Sequence, residues 1–171
     1  MTAGRADFFA KLDALGIVTR TREHDALFSV EDARALRGEI PGAHSKNLFL
    51  KSKKGSLWLV IALETTEIDL NGLAKAMGCG RFSFARAELM VETLGVEPGS
   101  VTPFALINDR TRRVNVVLDA ALMAHEELNF HPLENTATTT IARDGLLAFI
   151  AACGHQPEIL DLTAHQDRVT P

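Results

Sequence analysis

The chain has 171 residues, 46% hydrophobic and 23% charged, with a formal net charge of −4. That balance suits one soluble domain with a single sizeable core. It argues against a protein that coats nucleic acid along its length, because such binding rests on many Lys and Arg contacts to phosphate, though not against one that grips a short nucleic-acid end. No apolar run is long enough to cross a bilayer, and Met1 to Asp7 lack the apolar core of a secretory signal. Cys79 and Cys153 are isolated, so neither a zinc site nor a disulfide framework is expected, and a cytosolic, cytoplasmic protein with reduced thiols is the simplest account.

Taken in order, Arg5 to Leu15 carries Phe8, Phe9, Leu12 and Leu15 at helical spacing and stops at Gly16. Ile17 to Glu23 reads as a short, partly exposed strand. Ser29-Val30-Glu31-Asp32 resembles a capping box opening a helix to Arg37. Pro41-Gly42 turns the chain into a strand from His44 to Lys51, and a loop ending at Gly55-Ser56 returns it as the apolar strand Leu57 to Leu63. The continuous apolar run predicts burial on both faces and a central place in the sheet. Asp69 caps a helix through Met77 to Gly78. A brief strand at Phe82 to Phe84 and a helix from Ala87 to Leu94 follow. Phe104 to Ile107 and Val114 to Leu118 are expected as strands joined by a turn at Asn108-Asp109. Asp119 caps a further helix, Leu128 to His131 and Ala137 to Ile141 read as strands, and a last helix runs from Arg143 to Cys153. The reading is a single domain over 1–162 with a loose tail over 163–171. Strands joined as hairpins among irregularly placed helices make a mixed α/β (α+β) sheet with helices packed around it, not a doubly wound one.

The strand His44-Ser45-Lys46-Asn47-Leu48-Phe49-Leu50-Lys51 holds the densest chemistry. Alternation sends Lys46, Leu48 and Leu50 to one face and Ser45, Asn47 and Phe49 to the other. If the leucines face the interior, Lys46 faces it too, or the mouth of a cavity. It is either a strand-end lysine whose stem covers apolar surface or a cation at a pocket rim that holds an anionic or carbonyl oxygen. The loop Gly99-Ser100-Val101-Thr102-Pro103 is shaped by Pro98, Pro103 and Gly99; it is a tight turn or a bend that aims N–H groups at a carbonyl oxygen. His131 is held extended by Pro132 and is structural or catalytic. The hydroxyls of Thr136, Thr138, Thr139 and Thr140 suit a strand. The six histidines show no H-E-x-x-H spacing, and no metal is assigned. There is no G-x-S-x-G elbow, no G-x-G-x-x-G and no P-loop, so serine-hydrolase and nucleotide-cofactor readings lack support. Two basic clusters, Lys51 with Lys53 and Lys54, and Arg110 with Arg112 and Arg113, fall at expected hairpin turns; each reads first as a solvated turn. With no tyrosine and one tryptophan, an extended aromatic stacking platform is not expected.

In order and together, Ser45-Lys46-Asn47-Leu48-Phe49-Leu50, Leu94 to Phe104 with its Gly99 and Pro103, and Phe130-His131-Pro132-Leu133-Glu134-Asn135-Thr136 resemble the YbaK-like superfamily, the free-standing relatives of the editing domain in bacterial prolyl-tRNA synthetase. The Lys-Asn strand with His-Pro-Leu-Glu-Asn is closer to the alanine-specific branch (ProXp-ala, PrdX-like) than to the cysteine-specific one. The resemblance covers the chain through about Leu162. It implies a mixed, barrel-like sheet ringed by helices and trans-editing hydrolysis of Ala-tRNA(Pro) without a cofactor. It assigns Lys46, Gly99 and His131 to catalysis, and Asn47, Ser45, Ser100, Val101, Thr102, Pro103, Asn135 and Thr136 to substrate binding. The implied partners are the tRNA(Pro) acceptor end and prolyl-tRNA synthetase, with no membrane and a monomeric chain. Deacylation of Cys-tRNA(Pro), a non-catalytic tRNA-end or synthetase-binding module, and a small-molecule binding domain are the alternatives.

Overall fold

The computed structural model describes residues 2–26 and 30–163. Helix α1 (Arg5–Leu15) is followed by strand β1 (Thr19–Glu23), helix α2 (Val30–Arg37), strands β2 (Ala43–Ser52) and β3 (Leu57–Leu63), and helix α3 (Leu70–Met77). Then come β4 (Phe82–Phe84), α4 (Ala87–Leu94), a 3-10 helix (Pro103–Asn108), β5 (Val114–Asp119), α5 (Ala120–Met123), β6 (Glu127–Phe130), β7 (Ala137–Ala142), α6 (Arg143–Ala152) and β8 (Glu158–Leu160). The eight strands form one mixed sheet in the order β1-β7-β6-β2-β3-β5-β8, with β4 paired to β2. The pairs β2–β6, β3–β5 and β5–β8 are parallel; the others are antiparallel.

The β2–β3 hairpin is central, as its apolar run requires. Leu57, Leu59 and Ile61 enter one core, and Trp58, Val60 and Ala62 enter a second core on the other face. The first core also takes Phe130 and Ile141 from β6 and β7, together with Phe8, Phe104 and Phe149. Both halves of the sheet therefore curl around the same apolar centre. There the Phe8 and Phe104 rings stack at 4.2 Å and Phe149 meets both edge-on. Each such fully buried side chain contributes ~1.5–3 kcal/mol by burial.

Three expectations change. Pro103–Asn108 is a 3-10 helix, where a strand is expected over Phe104 to Ile107. Its apolar run is too short for periodicity to separate the two, and Pro103 in the first turn behind the Thr102 cap favours the helical start. The cluster Arg110 to Arg113 consequently joins that helix to β5 instead of closing a hairpin. Leu15 stays 41% exposed rather than packing inward. Strand β8 carries no advance signal, since Glu158-Ile159-Leu160 is too short to show alternation. Ser29 and residues 164–171 of the expected tail lie outside the described residues.

Asp119 locks the end of β5 to the β3–α3 connection. Its carboxylate is buried and accepts from the Leu63 N–H at 3.0 Å, the Thr66 hydroxyl at 2.6 Å and the Ala121 N–H at 3.1 Å. Replacing it with alanine leaves buried donors without an acceptor. Asp119→Ala is expected to lower stability by about 3 kcal/mol, read as a lower urea midpoint at unchanged slope.

Candidate active site

Strand β2 changes neighbours along its length. Ala43 and His44 pair with β6, and Leu50 to Ser52 pair with β4. Between them, from Ser45 to Leu48, only β3 pairs with β2 among the described residues. The entry to β2 is tight: Gly42 sits at φ +100°, and a Cβ there would stand 3.1 Å from the Glu127 carbonyl oxygen. Only glycine tolerates both the left-handed conformation and that approach. The result is a gap in the sheet bounded by β6 on one side and β4 on the other.

A cavity of about 270 Å³ opens at this gap, lined by Ser45 and Asn47 from β2, Gly99 and Val101 from the proline–glycine loop, His131 from the end of β6, and Leu36 from α2. His44, Ala33, Arg37, Glu64, Asn129, Phe130 and Thr138 complete the wall. Arg37 and Glu64 pair at 2.7 Å, half-buried, and tie the end of α2 to the residue after β3.

Nearly every polar group in the wall is already engaged. The Asn47 amide donates to Ser45 Oγ at 3.1 Å, and the Ser45 hydroxyl donates to the Asn129 carbonyl at 3.0 Å. The Asn129 side chain donates to the carbonyls of Pro41 and Ala43 and accepts from the Thr140 hydroxyl. His131 Nδ1 lies 2.8 Å from the Ala137 carbonyl, which can only accept, so Nδ1 carries the proton and the neutral ring leaves Nε2 bare. Burial pushes the His131 imidazole below the ordinary histidine range; the carbonyl contact opposes this and nearby His24 adds to it. By the same logic His24 donates through Nδ1 to the Asp25 carbonyl at 2.7 Å, and its Nε2 takes the Thr138 hydroxyl at 2.8 Å.

Besides the His131 Nε2, two kinds of group remain open. Asn47 Oδ1 is buried without a hydrogen-bond partner, a costly state in a finished wall. The Gly99 and Val101 N–H groups find no intramolecular acceptor among the described residues. The bend presenting them is stiff: the Ser100 N–H returns to the Glu97 carbonyl at 3.0 Å, with Pro98 and Gly99 between and Gly99 at φ +93°. That is a type II turn, with proline and glycine where each is favoured.

The residues singled out in the sequence divide into four groups. Ser45, Asn47, Gly99, Val101 and His131 meet at the cavity. Ser100 and Thr102 are buried behind it, with Thr102 capping the 3-10 helix that Pro103 begins. Asn135 stands behind Gly99, its amide nitrogen 3.6 Å from where a Gly99 Cβ would be, and Thr136 is exposed with its carbonyl taken by the His24 N–H. Lys46 does not line the cavity. It alternates with Ser45 and Asn47, on the face whose Leu48 and Leu50 belong to the second core, and is half-buried. Leu36, Arg37, Glu64 and Asn129 were not anticipated. Only Asn129, next to Phe130-His131, carried a local signal, namely a polar residue interrupting an apolar strand.

The family description "Aminoacyl-tRNA editing domain" matches residues 24–149. The mouse protein "Prolyl-tRNA synthetase associated domain-containing protein 1" is 41% identical over 162 residues, covering 92% of this chain and 95% of that one. The "Prolyl-tRNA editing protein ProX" of Acetoanaerobium sticklandii is 33% identical over 154 residues, covering 90% and 94%. A crystal structure of a candidate trans-editing enzyme for prolyl tRNA synthetase superposes with a TM-score of 0.70 at 22% identity, over 95% of this chain and 98% of that one, and shares the fold. A chain matched over most of its length, and built around a gap between two half-sheets, belongs to the aminoacyl-tRNA editing domain family.

Proposed function

We propose that the protein is a trans-acting deacylase that hydrolyses Ala-tRNA(Pro) to alanine and tRNA(Pro). The observation carrying this reading is a small cavity that brings together Asn47, whose Oδ1 is buried and unpartnered, and the loop whose Gly99 and Val101 N–H groups find no acceptor among the described residues. An aminoacyl ester presents complementary groups: an ammonium for the acceptor and a carbonyl oxygen for the donors. The names of the mouse and Acetoanaerobium relatives support the prolyl system as the tRNA partner.

The chemistry follows from what is already engaged. The Ser45 and Thr138 hydroxyls both donate elsewhere, so neither is set up as a nucleophile. The ester is attacked by water, beside the neighbouring ribose hydroxyl. The Gly99 and Val101 N–H groups receive the negative charge that develops on the carbonyl oxygen. His131, with Nε2 unprotonated, orients the water and shapes the alanine pocket. Lys46 holds the phosphate of the terminal nucleotide from the other face of β2, where the unpaired edge leaves the strand accessible.

Selectivity is a matter of volume. A synthetic site built for proline rejects alanine by only ~1–3 kcal/mol per missing methylene. A second chamber closed by Leu36, Val101 and Phe130 can refuse the pyrrolidine ring by clash, which is double-sieve logic. Cysteine is also small, so its ester is the sharpest competitor. The chain acts as a monomer on the acceptor end, alone or beside the synthetase.

Offered Ala-, Cys-, Ser- and Pro-tRNA(Pro), the protein is expected to deacylate the alanyl ester fastest and spare the prolyl one; a faster cysteinyl reaction would reassign the substrate, and inertness toward all four would end the deacylase reading. Asn47→Ala should cost ~10- to 150-fold in kcat/KM, the range for losing a hydrogen bond to a charged group. Lys46→Ala should cost ~100-fold or more through misplacement of the ester with an unchanged melting temperature; full activity in that variant would remove Lys46 from the site. Since His131 stays neutral to lower pH than a free imidazole, the acid limb of kcat/KM should lie below pH ~6.5, and an inflection above that value would argue against its bare Nε2.

A further inference from the structure

Strand β8 stops short of the start of β5. It pairs with β5 only from Val117 to Asp119, whereas β3 pairs with β5 from Val114 onward. The outer edge of β5 from Val114 to Val116 therefore borders no strand among the described residues, and a hollow of about 180 Å³ opens there, two strands away from the β2 gap. Trp58, Val114 and Val116 give it an apolar wall, and Arg112, His155 and Glu158 bring charge and polarity to it. His155 is only 5% exposed. Its Nε2 lies 2.8 Å from the buried Asp109 carboxylate, which accepts, so Nε2 carries the proton and the neutral ring leaves Nδ1 bare. That Nδ1 is buried without a partner, a state that a bound molecule ordinarily completes.

Arg112 is set in place by two backbone features. It holds a left-handed φ of +57°, uncommon for a residue with a side chain. Its guanidinium lies against Gly154, where a Cβ would come within 2.7 Å of Nε, and Gly154 stands at φ +89°, where glycine is favoured. Neither Arg112 nor Glu158 takes an oppositely charged partner among the described residues. One cation, one carboxylate and one bare ring nitrogen thus border the same small hollow. An aspartate behind a histidine is a pairing that supports metal ligation, but no group of three His, Cys, Asp or Glu side chains is placed to hold a metal among the described residues. A simple anion would meet Glu158, and a simple cation would meet Arg112. We propose that the hollow binds a small, free aliphatic α-amino acid as its zwitterion. The carboxylate sits on the Arg112 fork, whose geometry matches it. The ammonium donates to His155 Nδ1 and Glu158, and the side chain packs against Trp58 and the two valines. This site is separate from the ester cavity and does not depend on the deacylase reading.

The test titrates the full chain, its histidines labelled with nitrogen-15, with millimolar L-alanine and L-proline while the ring nitrogens are followed by NMR. One or both amino acids should move the His155 Nδ1 signal upfield in a saturable way, as a bare nitrogen does on accepting a hydrogen bond. Acetate and ethylammonium, each carrying half of the zwitterion, should bind ~10-fold more weakly or worse, and L-phenylalanine, too large for the hollow, should not move the signal. Arg112→Gln and Glu158→Gln should each weaken amino-acid binding by ~10-fold or more at unchanged melting temperature; should one variant unfold, the other carries the comparison. Asn47→Ala, in the ester cavity, should leave the binding intact. A His155 signal that neither amino acid moves overturns the proposal and assigns Nδ1 to an ordered water. Movement of His131 in its place overturns it too, putting the amino acid in the ester cavity, as does acetate binding as tightly as alanine, the mark of an anion site only.

Discussion

The site depends on one strand serving two half-sheets. β2 pairs with β6 at its start and β4 at its end, and for four residues between them, Ser45 to Leu48, only β3 pairs with it among the described residues. A sheet edge inside a domain is ordinarily a liability, because unpaired backbone groups need partners. Here the gap is the opening of the cavity. The parallel β2–β6 contact that starts it is short, and Gly42 permits the two chains to approach.

Around that opening the hydrogen bonds close on one another almost completely. The relay from the Asn47 amide through Ser45 to the Asn129 carbonyl fixes the Asn47 rotamer, and with it the direction of its unpartnered Oδ1. The Glu97–Ser100 turn fixes Gly99 and Val101 in the same way. Preorganisation of this kind lets a few uncharged groups act strongly, because no reorganisation is required when charge develops. Residues that never line the cavity contribute to its geometry: the Ser100 N–H closes the turn that carries Gly99, and the Thr140 hydroxyl donates to the Asn129 side chain.

Lys46 illustrates the limit of alternation as a guide. The two-residue period correctly set it with Leu48 and Leu50. The further step, that the interior beyond those leucines is the cavity, does not follow in a strand buried on both faces. The leucines belong to the second core, and the cavity lies behind Ser45 and Asn47. A lysine on the far face suits a role toward a phosphate outside the chamber better than one toward the ester carbonyl.

Local chemistry in the sequence determined most of the elements. Capping at Asp69 and Asp119, the stop of α1 at Gly16, the apolar β3 run and the Pro98-Gly99 turn all depend on neighbours within a few residues, and each is found in place. Family membership was legible for a similar reason: its motifs are short and their residues stand in order along the chain. Contacts between residues far apart in sequence were not legible. That Asn47 Oδ1 is left unpartnered depends on Asn129, 82 positions away, being placed to occupy Ser45. The Arg37–Glu64 tie, the pairing of β8 with β5, and the face on which Lys46 emerges likewise depend on how the sheet curls, and curling is decided by packing the whole core rather than by any segment of it.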